Sequence, residues 1–70
     1  MENTKLVAIV YEDGVPVRAF DKKSCIYHAY GWAHRHYCLE DEGIKPHQLP
    51  DYLMIKLHML TPEEFNNLVK

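Results

Sequence analysis

Two runs rich in Val and Ile, Lys5–Tyr11 and Val15–Phe20, flank the dipeptide Asp13-Gly14. Asp-Gly between strand-like runs predicts a two-residue hairpin turn, because such a turn needs positive φ at both central residues. With Asp13 and Gly14 in the loop, Glu12 falls opposite Val15 and Val10 opposite Val17. Alternation then puts Leu6, Ala8, Val10, Val15, Val17 and Ala19 on one face, wholly apolar. Val7, Ile9, Tyr11, Pro16, Arg18 and Phe20 share the other, which is mixed. Pro16 has no N–H to give to a ladder, so the second run is expected at a sheet edge.

From Asp21 onward the spacing turns helical. Asp21 and Ser24 are good capping residues, and a helix is expected from Lys22 or Ser24 to about Asp41, closed by Gly43. Gly31 falls in its middle at a cost of about 1 kcal/mol relative to Ala, which suggests a kink or a close contact. At about 100° per residue, Ile26, Ala29, Tyr30, Ala33 and Tyr37 lie on one stripe, the expected core face. Trp32, His28, Arg35 and Leu39 form a second stripe; Tyr27, His34 and Cys38 form a third.

The stretch Ile44–Pro50 contains two prolines and reads as a loop. Asp51–Leu60 reads as a third strand, with Leu53, Ile55, Leu57 and Met59 on one face. Thr61-Pro62-Glu63-Glu64 is a helix start: Thr as cap, Pro at the first position, Glu64 closing a capping box. That last helix is expected to run from Pro62 to about Val69, with Phe65, Leu68 and Val69 inward.

The order β-β-α-β-α predicts a single small α+β domain over residues 1–70. Its three-stranded sheet, including the hairpin that turns at Asp13-Gly14, packs against one long helix, and a short C-terminal helix follows.

Composition narrows the function classes. A hydrophobic fraction of 47% with 26% charged residues is that of a globular chain. Seventy residues leave little room for a core and a deep substrate pocket together. The net charge of −2, with basic residues scattered, offers no stripe that follows a phosphate backbone. No apolar run is long enough to span a bilayer and no basic-then-apolar leader opens the chain, so a cytoplasmic protein is expected. Cys25 and Cys38 on one continuous helix would stand roughly 20 Å apart, too far for a disulfide, which fits reduced thiols.

The segment Cys25–Cys38 concentrates the chain's chemistry: three of the five histidines, both cysteines, the only tryptophan and three of the five tyrosines. Cys25-x-x-His28 and His34-x-x-x-Cys38 each have a zinc-chelating spacing. On one helix the two pairs point to roughly opposite sides, so a single metal site is not expected, nor is any cofactor. His28 lies one turn from Cys25, but nothing supplies an oxyanion hole or a phosphate cradle, so no catalytic residue is assigned. What remains is a helix aromatic on more sides than so small a chain can cover. The first reading is a non-enzymatic protein-binding module that uses Trp32, Arg35, His28 and Tyr27, since Trp, Tyr and Arg dominate binding hot spots. In general type such a chain is like the accessory proteins of phages and mobile elements, inhibitors or regulators that mask a host protein surface. Self-association through the helix is a subset of that reading. The alternative is a nucleic-acid-binding module built on Arg18, Lys22, Lys23, Tyr11 and Phe20.

Overall fold

The computed structural model describes residues 3–68. β1 (Lys5–Glu12) and β2 (Val15–Phe20) form the hairpin, followed by α1 (Cys25–His36), a 3-10 turn (Leu39–Glu42), β3 (Leu53–Leu60) and α2 (Pro62–Leu68). The expected α+β order is thus present. The sheet runs β2-β1-β3 with both pairings antiparallel, which puts β1 in the middle.

Asp13 and Gly14 have φ of 52° and 82°, the positive pair the hairpin needs, and Glu12 pairs with Val15 as expected. Beyond that the pairing slips. Tyr11 faces Pro16 but Val10 faces Arg18, so Val17 is an extra residue bulged out of β2. Val10 therefore does not meet Val17. Because side chains alternate with period two, the slip exchanges the faces of the rest of β2. Phe20 comes opposite Ala8, on the side that carries α1.

α1 lies on β1 through small residues. Ala8, Ala29 and Ala33 have no exposed surface, and Cys25 joins Ala8, Val10 and Ala29 in one buried cluster. The core stripe is thus rotated from the expected one: Cys25 is in, whereas Ile26 is 37% exposed and Tyr30 only half-buried. Ser24 stands at the helix N-cap in left-handed backbone, with no side-chain capping bond.

The helix stops at His36 rather than continuing to Asp41. Cys38 takes a left-handed φ of 52°, and the chain tightens into the 3-10 turn, which Gly43 closes at φ 79°. The break inverts Leu39 into the interior, where it is fully buried against Ala33 and Leu53. Tyr37 packs beside this cluster and donates a 2.9 Å hydrogen bond to the Glu12 carboxylate. That bond ties the end of α1 to the end of β1.

On the opposite face Val7 and Ile9 are buried, and α2 reaches β2 and β3 across them. Phe65 is half-buried there, but Leu68 is 40% exposed rather than inward, and Val69 lies outside the described residues. The capping box is formed. The Glu64 carboxylate accepts the Thr61 N–H at 2.9 Å, and the Thr61 hydroxyl accepts the Glu64 N–H at 3.2 Å. Among the described residues no helix is long and apolar enough to cross a membrane.

Two titrations test these ties. Burial, then the hydrogen bond and charge of Glu12, push the Tyr37 phenol from 10.0 up to about 12. A raised folded value favours folding fully below pH 10 and loses that contribution as pH climbs through 12. Tyr37→Phe is expected to cost about 1 kcal/mol in urea unfolding at pH 7, and to flatten the loss of stability between pH 10 and 12. In α2, the Thr61 backbone N–H and then its hydroxyl hold the Glu64 carboxyl below the usual range. That contribution is present above the ordinary Glu value and lost as pH falls through the folded one. Side-chain NMR of Thr61→Ala should show Glu64 titrating closer to an ordinary glutamate, and an unmoved titration would deny the box.

Candidate protein-binding surface

The close approach of α1 to β1 leaves no room for large rings between them, so the aromatic side chains flank the contact. On the β2 side Trp32 stacks on His36 with centroids 4.5 Å apart and touches Phe20 and Tyr37. Arg18 reaches over Phe20 and Trp32, at 5.4 and 6.0 Å from the ring centroids. The belt ends where Tyr37 meets Tyr52 edge-on. Burial, and then the nearby carboxylates of Glu42, Glu12 and Asp13, also push the Tyr52 phenol up.

The structure does not bring Trp32 together with Arg35 and Tyr27 as one patch. Trp32 is half-buried and packs against both core clusters. Its replacement by Ala would open the core, so Trp32 is first a structural residue. His28 is exposed beside it, with its ring over Phe20 at 6.5 Å. Tyr27 and Arg35 belong to the outward pole of the helix, away from the sheet.

That pole has its own construction. Tyr27 is 79% exposed, the most of any large apolar side chain described. Tyr30 and Pro46 join two shallow grooves, one shared with Ile26, Tyr27 and His47, the other with Gly31, His34 and Arg35. The second groove is an open trough of about 400 Å³, with Glu40 and Asp41 on its far wall. His34 fixes the loop that flanks it. Its Nε2 stands 2.8 Å from the Gln48 carbonyl oxygen, which can only accept, so Nε2 carries the proton.

Gly31 lies in the floor of this surface. A Cβ built there meets nothing within 4 Å, so neither close packing nor a kink calls for glycine. The Arg35 Nε–H donates to the bare Gly31 carbonyl at 3.3 Å. Sequence spacing marked Gly31 as an anomaly but not as part of a surface. It also placed Tyr30, Ile26 and Tyr37 on one core stripe, which hid the first two.

No family model, curated protein or solved structure matches the chain.

The nucleic-acid set is brought together only in part: Arg18 reaches over Phe20. The bulge puts Phe20 on the α1 side, whereas Tyr11 lies on the α2 side, where it contacts His58 and Lys56. Lys22 and Lys23 line a groove at the start of α1 with Leu6 and Leu57, a groove that neither Phe20 nor Tyr11 lines. Cys25 is buried and Cys38 exposed, and among the described residues no three His, Cys, Asp or Glu side chains converge.

Gly31→Ala is expected to raise stability by about 0.5–1 kcal/mol in urea unfolding, with unchanged denaturant slope. A loss of stability would mean that Gly31 serves the fold itself.

Proposed function

We propose that this chain is a small non-enzymatic protein-binding module that works by masking a surface of a partner protein in the cytoplasm. The single observation that carries this reading is the outward pole of α1. A tyrosine with almost four-fifths of its surface open stands beside a helix-interior glycine whose place for a Cβ meets nothing among the described residues. Glycine in that position costs helix stability, and a flat floor between Tyr27 and Arg35 lets another backbone approach closely. Tyr27 and Arg35 are the anchors, with Tyr30, His34 and Pro46 shaping the trough and His28 at its margin. Inhibition or regulation by occlusion suits such a surface, which has no enclosed cavity. The unpaired thiols of Cys25 and Cys38 support a reducing compartment.

The test is capture by the immobilised full chain, followed by measurement of affinity for the captured protein. Tyr27→Ala should fold normally and weaken binding by about 30-fold, as loss of an aromatic anchor worth about 2 kcal/mol does. Gly31→Ala should weaken it as well while stabilising the fold. Val15→Ala, at an exposed site on the hairpin, should bind as the parent does. Equal retention of one partner by Tyr27→Ala and the parent would refute the reading.

A further inference from the structure

We propose that a second copy of this chain pairs antiparallel with the outer edge of β3, in the register that places Leu57 opposite Leu57, to form a sheet continuous across the dimer. The inference is independent of the outward pole of α1 and rests on three features of the sheet.

The first is which backbone groups are free. Antiparallel strands direct N–H and C=O alternately to their two neighbours. Glu12 pairs with Val15 across the tight turn, so it faces β2, and the next N–H, that of Asp13, bonds to the Tyr52 carbonyl at 2.8 Å, toward β3. Pro16 sits opposite Tyr11, where a ladder toward β2 asks for no N–H. Lys5, Val7, Ile9 and Tyr11 therefore spend their backbone groups on Leu60, His58, Lys56 and Met54. The backbone groups of Ile55, Leu57 and Met59 are left facing outward, and no backbone hydrogen bond outside the strand ladders reaches them among the described residues.

The second is how unequally the two edges are protected. β2 carries Pro16, a bulge and the exposed Arg18, all of which discourage edge pairing. β3 is eight residues long, regularly paired with β1 throughout, and its one charged residue is Lys56. Lys56 is exposed, with its ammonium 5.6 Å from the centroid of the Tyr11 ring on the neighbouring β1.

The third is what the register does to side chains. Leu57 is 48% and Met59 60% exposed, beside Leu6 at 47%. A two-fold axis normal to the sheet can pair only residues of one face. With Leu57 on the axis, Leu57 meets Leu57, Ile55 meets Met59, and Lys56 meets His58. A shift toward the N-terminus sets Lys56 against Lys56, a like-charge pair at close range. A shift the other way sets His58 against His58 and shortens the overlap. Of these three registers, the Leu57-centred one alone puts an apolar pair on the axis, with neither lysine nor histidine set against its own copy.

Sedimentation of the full chain should show concentration-dependent growth to twice the 8.3 kDa protomer. Leu57→Lys and Leu57→Glu should each remain monomeric and folded, with Trp32 fluorescence reporting the fold. Mixed in equal amounts, they should restore the dimer, because the two new charges then face each other across the axis. In the parent dimer, the amides of Ile55, Leu57 and Met59 should exchange more slowly with deuterium than in Leu57→Lys. A parent that stays monomeric, a dimer that survives Leu57→Lys, or failure of the charge-swapped pair to associate would each overturn the proposal.

Discussion

The close seat of α1 on β1 governs the rest of this molecule. Ala8, Ala29 and Ala33 are all fully buried at or beside that contact, so the helix and the sheet approach with almost no side chain between them. Burial of small residues yields little transfer free energy per residue. The larger apolar surface therefore has to be buried along the flanks. Trp32, Phe20 and Tyr37 close one flank, and Leu39, folded back by the break after His36, fills the space under the helix end with Leu53. What the arrangement leaves uncovered is the far side of the helix, over which the described residues place no second layer. The exposure of Tyr27 follows from the geometry that buries Ala29 and Ala33.

The bulge in β2 is the second determinant, and it marks where a reading of the sequence stops. The turn residues and the Glu12–Val15 pair were legible because Asp-Gly has a specific backbone requirement. The slip at Val17 was not, because Val15, Val17 and Ala19 alternate with Pro16, Arg18 and Phe20, and both sets contain apolar residues. When a strand is apolar on both faces, its pattern cannot report a one-residue shift. Pro16 supplied half of the signal: it marked the strand as an edge, but not the position of the irregularity. The capping box before α2 was legible in full, since Thr61 and Glu64 act over three residues and need no tertiary partner. The end of α1 was missed for the opposite reason. Local preferences allow a helix through to Asp41, and the burial of Leu39 overrides them.

The candidate surface was legible in part for a related reason. Residue type nominated Trp32, Arg35, His28 and Tyr27 together, yet type alone does not separate an aromatic ring that closes a core from one that faces solvent. Phase around the helix separates them only when the core side is known, and that side is set by Cys25 and the alanines rather than by the large tyrosines. Tyr27 and Arg35 stand at the outward pole, whereas Trp32 is half-buried against both core clusters. Gly31 became informative only when the space around it was seen to be empty.

The proposed edge pairing bears on how the pole of α1 would act. A two-fold axis normal to a continuous sheet returns each face to itself, so both copies of α1 would rise from the same side and their exposed Tyr27 side chains would face the same way. A partner with one matching site would meet two equivalent surfaces, and a partner with two sites could be held at both, which raises avidity without any new contact. The free edge of β3 and the bare pole of α1 would then be two parts of one design. Pairing at β3 would cover the edge that the chain leaves unguarded, and in doing so would set the spacing between the surfaces it leaves open. A chain of this size cannot bury both faces of every element by itself, and edge pairing would widen its sheet while leaving the pole open.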